Sequence, residues 1–278
     1  MPAEYALELF QLEGLREIWS GQEDDVDTLI HSDTRALLGW RDGVVVLAFR
    51  GTTSVANVQS DLKIWSTKHQ PARKHKGGAQ FVKVHAGFYE AYTWGGYSER
   101  LMAALREVVA GFSSPTGHHF YVTGHSLGGA LAALAAHDIV QGANAFEGAN
   151  VHVYTFGAPR LGNGAWKAEY LDTVPDTWSL INDQDPVPRL PPHAKRTGHR
   201  VVVNARGDII VRPSQFEHTV LNRSVRELCG LVGWCHQPQS SVPVFPEIIH
   251  EGLYASTPLL AQALFAQLPR AWRHPSIR

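Results

Sequence analysis

Cysteine is nearly absent from this chain, with two in 278 residues, Cys229 and Cys235. They form neither a CxxC pair nor a finger spacing, so a disulfide framework and a structural zinc site are both excluded as organising devices. Charge is also sparse, at 18% of residues, and balanced, with 25 Lys and Arg against 26 Asp and Glu for a net charge of −1. Such a balance argues against electrostatic capture of nucleic acid or of an anionic membrane by the whole molecule. Long apolar runs are missing too: Val44–Phe49 and the Ala-rich Gly128–Ala136 are the longest, far short of the roughly 18 residues that cross a bilayer. The start, MPAEYALELF, has acids early and no basic region followed by an apolar stretch, so no leader is read in the chain as given, and a soluble protein is expected; its compartment stays open between cytoplasm and secretion after leader removal. What is present is 44% hydrophobic content, near the globular average and ample for a large core.

Strand and helix patterns alternate along most of the chain. A helical spacing of Leu7, Leu9, Leu12, Leu15 and Ile18 is followed by a strand from Arg35 to Trp40, and Asp42-Gly43 reads as a hairpin turn into the strand Val44–Phe49. Helical spacing returns over Val55–Trp65, then a basic loop at Lys68–Gly78 and a helix through Glu99–Ala110. Strand Phe120–Thr123, helix Gly129–Val140, strand Val151–Phe156, helix Trp166–Leu171 and strand Thr177–Ile181 come next, with closing strands around Val201–Val203 and Asp208–Val211. Short apolar strands alternating with helices predict an α/β fold: a mostly parallel sheet with helices on both faces. No repeat or low-complexity linker divides the chain, so residues 1–278 are expected to form one domain, with an insertion at 213–246 before a last helix near Thr257–Gln267.

Gly124-His125-Ser126-Leu127-Gly128-Gly129 contains the G-x-S-x-G pattern in its diagnostic setting, after an apolar strand and before a strong helix former. The turn strains Ser126 and, with glycine at 124 and 128, leaves room where any Cβ would strike backbone. Its hydroxyl is expected to point into solvent above the sheet, beside a helix N-terminus that favours developing negative charge. The bland alternative is a glycine-rich turn with an N-capping serine. A serine hydroxyl needs a base and an orienting acid, and in sheet-based hydrolases both follow the nucleophile in the chain. Ile181-Asn182-Asp183-Gln184-Asp185-Pro186-Val187-Pro188-Arg189 follows a strand directly, and its prolines stiffen the loop behind Asp185. Asp183 and Asp185 also suit simple turn formation. Of the downstream histidines, His193 and His199 look structural, whereas His218 and His250 each precede a helical pattern.

These motifs together resemble the class 3 lipases, the fungal-type lipase family of α/β hydrolases. The matching stretches are VVLAFRGTT (45–53), NVQSDLKIW (57–65), VHAGFYEAY (84–92), YVTGHSLGGA (121–130), YTFGAPRLG (154–162) and 182–192. The resemblance implies that Ser126 is the nucleophile, Asp185 the triad acid and His250 the base, with His218 as the alternative. It also implies an oxyanion hole from Thr52 and the N–H of Leu127, and no metal or organic cofactor. The family's lid maps to 53–66, where Val55, Val58, Leu62 and Trp65 fall at i, i+3, i+7 and i+10 on one helical face; a core-packed helix has the same stripe. Phe88, with Tyr89 and Tyr92, would either line an acyl groove or pack on the sheet. The implied function is hydrolysis of lipid acyl esters of the triacylglycerol type, at a lipid–water interface. A phospholipase A1 or galactolipase, a short-chain carboxylesterase or an acyltransferase would use the same triad, and a non-catalytic lipase-like binding module stands further off.

Overall fold

The computed structural model describes residues 11–20, 34–51, 69–74, 81–142, 146–203 and 209–211. Eight strands form one sheet in the order β1 (Gly14–Trp19), β2 (Arg35–Arg41), β3 (Val44–Phe49), β6 (His119–His125), β7 (Asn150–Phe156), β8 (Thr177–Asn182), β9 (His199–Val203) and β10 (Ile209–Val211). From β3 to β9 every neighbour is parallel, and antiparallel pairs close both edges. A separate antiparallel pair joins β4 (His69–Lys74) to β5 (Phe81–His85).

The strands form where β-branched residues are dense, as in VVVLAF, and Gly43 makes the β2–β3 turn at a φ of 73° that other residues avoid. Register then sorts side chains by face. Ala36 and Leu38 on β2, Leu47 and Phe49 on β3, Phe120 and Val122 on β6, and Val151 and Val153 on β7 share one side and are buried.

Among the described residues, four helices cover that side: α1 (Ala86–Thr93), α2 (Tyr97–Ala110), α3 (Leu127–Gln141) and α4 (Gly164–Thr173). Helix α3, LGGALAALAAHDIVQ, is apolar nearly all round, the signature of a helix buried on every side. It sits across β3, β6 and β7 with its alanines buried and touches α1 and α4 laterally. Tyr92 of α1 donates its hydroxyl to Asp138 of α3 (2.9 Å), and His137 of α3 meets Glu169 of α4 at 3.2 Å. Asn163 caps α4 by accepting from the Trp166 N–H at 2.9 Å.

The opposite face is more polar. His119, Tyr121, His152 and Trp178 share it by register. Near the N-terminal ends of the parallel strands His152 bonds Asp176 through Nδ1 and His119 through Nε2, the latter at 3.2 Å. Asp176 also accepts from the Trp178 indole at 2.7 Å.

The mostly parallel sheet agrees with the sequence expectation, and three local expectations need correction. Leu15 and Ile18 lie on strand β1, not on a helix: their i, i+3 spacing is helical, and pairing with β2 overrides it. Residues 69–74 of the expected basic loop form β4. Residues 86–93, read only as aromatic candidates, form helix α1. The helices described all lie on one face; the segments 53–66 and 213–246 and the last helix near 257–267 fall outside the described residues.

Candidate active site

Strand β6 ends at His125 and helix α3 starts at Leu127, so Ser126 alone makes the turn between them. Its φ of 52° and ψ of −123° are a conformation that a non-glycine residue adopts at a cost of about 1–3 kcal/mol. Neighbours hold it there. The Ser126 N–H donates to the Phe156 carbonyl of β7 at 2.9 Å, and the Ser126 carbonyl accepts from the Gly129 N–H at 3.0 Å. The hydroxyl makes no cap bond to the helix, which disposes of the N-capping alternative. Ser126 is not turned out to open solvent as the sequence suggested: only 4% of the residue is exposed, because the surrounding strand ends stand close.

Glycine is what permits that closeness. A Cβ on Gly124 would lie 2.2 Å from the Gly128 carbonyl oxygen, and one on Gly128 would lie 2.5 Å from that of Phe49. Strand β3 therefore runs out against the elbow backbone to backbone. Gly51 continues the contact, since a Cβ there would lie 2.6 Å from the His125 carbonyl oxygen. Thr52 lies outside the described residues. Leu127 is the first residue of α3, at the helix end where backbone N–H groups lack intrahelical partners.

Two strands away, Asp185 follows the end of β8 in a turn that becomes a short 3₁₀ segment, Val187–Arg189. One carboxylate oxygen, Oδ1, accepts from the Val187 N–H at 2.9 Å. The other, Oδ2, is directed across the end of the intervening strand β7, where Gly157 stands at φ 59°; a Cβ there would lie 2.9 Å from Oδ2 and 3.4 Å from His125 Nε2. Gly157 thus opens the passage from the β8 loop toward the elbow. Burial raises the Asp185 pKa above the usual aspartate value, partly offset by the Val187 N–H and by Arg189 and Arg196. Burial also lowers the pKa of His125, favouring its neutral form. Asp183 instead turns its backbone carbonyl to the Arg189 guanidinium.

Ser126, Leu127 and Asp185 are therefore gathered at the C-terminal ends of β6 and β8. His250 and His218, and the lid candidates Val55, Val58, Leu62 and Trp65, lie outside the described residues. Phe88 is 1% exposed and packs in the core with its ring 4.6 Å from that of His85, so of its two readings the structure favours packing. Sequence reasoning passed over Gly157 and Gly51, whose importance comes from strands that meet only in the fold. Among the described residues, no group of three or more metal-type side chains converges, and no helix is long and apolar enough to cross a membrane.

A parallel sheet with a strained serine between strand and buried helix defines an α/β hydrolase. Residues 46–195, more than half of the chain, match the model of the family Lipase (class 3), and the chain belongs to that family. It is 34% identical to a lipase of Rhizomucor miehei, over 60% of this chain and 43% of that protein. It is 35% identical to phospholipase A1 EG1 of Oryza sativa subsp. indica, over 55% of this chain and 37% of that one. The solved structure of the Rhizomucor miehei triacylglyceride lipase superposes with a TM-score of 0.52 at 28% identity, covering 68% of this chain and 66% of that one. The matched segments span less than half the length of these two curated relatives.

Proposed function

We propose that this chain is a serine carboxylic ester hydrolase that cleaves acyl esters of lipids through an acyl-enzyme, with Ser126 as nucleophile, Asp185 as orienting acid and His250 as base. The observation carrying this reading is the strained, uncapped Ser126 at a helix N-terminus, with a carboxylate oxygen of Asp185 beside Gly157 at the end of the neighbouring strand. Ser126 Oγ attacks the ester carbonyl as His250 takes its proton. Asp185 holds the imidazole and stabilises its cation, while the Leu127 N–H and Thr52 receive the oxyanion. The protonated base then delivers its proton to the departing alkoxide, and water, deprotonated by the same base, releases the acid. This chemistry calls on no metal or organic cofactor.

Triacylglycerol-type esters are the favoured substrates and a lipid–water interface the favoured setting, in line with the Rhizomucor miehei relative. In this reading residues 53–66 form the lid, Val55, Val58, Leu62 and Trp65 give it an apolar underside, and residues 1–278 belong to one domain. The phospholipase A1 relative supports a second reading in which the same triad cleaves an acyl ester of a phospholipid.

The test is turnover of a soluble p-nitrophenyl ester, a long-chain triacylglycerol emulsion and phosphatidylcholine vesicles by wild type, Ser126→Ala and His250→Ala. Loss of all turnover in both variants, with the wild-type rate rising when the emulsion appears, is the expected result. Full activity in Ser126→Ala defeats the proposal. Activity in His250→Ala moves the base to His218, and turnover of vesicles alone selects the phospholipase reading.

A further inference from the structure

The loop behind Asp185 has a donor problem written into its sequence. Pro186, Pro188, Pro191 and Pro192 bring carbonyl groups but no N–H groups, so the turns closed by the N–H groups of Asp185, Arg189, Leu190 and Ala194 leave other carbonyls of the loop to be met by side chains. Arginine side chains make up the deficit. Arg189 donates to the Asp183 carbonyl, Arg160 to that of Pro192 at 3.0 Å, and Arg196 to that of Pro188.

Arg196 differs from the other two in what it joins. Its second terminal nitrogen lies 3.5 Å from the Ala158 carbonyl oxygen. Ala158 immediately follows Gly157, the residue over which Asp185 extends, and Pro188 stands three residues beyond Asp185. One planar fork thus joins the two loops that carry Gly157 and Asp185, one from the β7 exit and one from the β8 exit.

We propose that Arg196 is a positioning residue for the catalytic acid, fixing the distance between the Ala158 and Pro188 carbonyls and hence the aim of Asp185 across Gly157. Its charge contributes as well. Burial, with Arg160 and Arg200 nearby, lowers the Arg196 pKa to about 9, which still leaves it cationic at neutral pH, and Asp185 opposes that fall. A fixed cation beside the carboxylate favours its ionised form and moderates its field on the catalytic imidazole. Removing the cation makes Asp185 harder to ionise and the imidazolium harder to deprotonate. Both changes move the acidic limb of the activity profile to higher pH.

This inference rests on the assignment of Asp185 as the triad acid, so the experiment carries Asp185→Asn beside Arg196→Met and Arg196→Lys. The kcat/KM for a soluble p-nitrophenyl ester is measured across pH, with the active fraction counted by a fluorophosphonate probe. For Arg196→Met the expected result is a fall of about tenfold or more in kcat per active site, the scale of a misplaced catalytic group, with KM held and the acidic limb shifted upward. Arg196→Lys is expected to return the limb toward wild type and leave kcat low, since a single ammonium does not span both carbonyls. If Arg196→Met does not fold, Arg196→Lys alone decides: wild-type kcat per active site overturns the spanning role. An unshifted limb in Arg196→Met with Asp185→Asn inactive overturns the inference and leaves the triad standing. Wild-type activity in Asp185→Asn overturns the assignment of the acid itself, and the inference with it.

Discussion

Both ends of the parallel strands gather aspartate and histidine, yet they are built on opposite rules. At the N-terminal ends the chain Asp176–His152–His119 is closed: each ring nitrogen between the members has a partner, and the Asp176 carboxylate is used on both oxygens. The two imidazoles are nearly coplanar, at 5°, with centroids 5.5 Å apart and nitrogens 3.2 Å apart, so they face one another head-on. That arrangement holds one proton between the nitrogens; lone pairs on a common metal would converge at an angle. At the C-terminal ends the polar groups are left open. Asp185 has one oxygen bonded and one directed across a glycine, and Ser126 keeps its hydroxyl off the helix it precedes. An aspartate–histidine contact is thus no mark of catalysis by itself. The mark is a group held in place with bonding capacity to spare.

The strongest way to break the comparison is to alter the open end. Asp185→Asn should lower kcat by about 10³–10⁴-fold, as expected when a triad acid is neutralised without change of shape; initial rates on a soluble ester measure it. Gly157→Ala comes next, because its Cβ would press on Asp185 Oδ2 at 2.9 Å and sit at positive φ. A loss of about 10–100-fold in kcat with KM held is expected from displacing the acid. A variant of unchanged kcat would show that the passage over β7 is not used.

The closed end should respond in stability and not in rate. Asp176→Asn leaves one side-chain oxygen to serve two donors, His152 and Trp178, and should cost about 1 kcal/mol in urea unfolding. Its kcat should stay within about twofold of wild type, since the chain lies at the other end of the strands. The smallest effect sharpens the contrast from the other side. Because burial raises the folded-state pKa of Asp185, folding is favoured with the carboxyl protonated, and stability falls as pH rises from the ordinary aspartate value through the raised one. Asp185→Asn should therefore raise Tm slightly at pH 7, and the gain should vanish once the pH drops below about 4, the ordinary range of aspartate. A lower Tm at pH 7 would mean that the carboxylate is stabilised where it sits.

How far these features could be read from the sequence depends on how local their causes are. Strand β3, the Asp42-Gly43 turn, strand β6 and the glycines at 124 and 128 are legible, because β-branched runs and a strand–turn–helix junction are settled by neighbours in the chain. Strand β1 misled because Leu12, Leu15 and Ile18 satisfy a helical spacing and only β2 can overrule it. Helix α1 went unread since Ala86-Gly87-Phe88 opens without a capping side chain. Gly157 and Arg196 were illegible for a stronger reason: the Cβ that Gly157 must lack is forbidden by Asp185, and the carbonyls that Arg196 joins come from different strands. The open end of the sheet is the part most dependent on contacts distant in sequence.

The backbone contact between Gly128 and Phe49 bears on how the molecule is assembled. The parallel pairing of β3 with β6 joins Val44 to His119 and Phe49 to Gly124, across all the intervening chain. Such long-range pairing is slow, because the loop must close before any contact rewards it. The unfavourable turn at Ser126 is held by that pairing and by Phe156 of β7, so no early, local stage of folding has reason to form it. Catalytic competence should then be among the last properties to return after dilution from denaturant, appearing with the completed sheet and later than helix α3, whose alanine-rich sequence favours helix unaided.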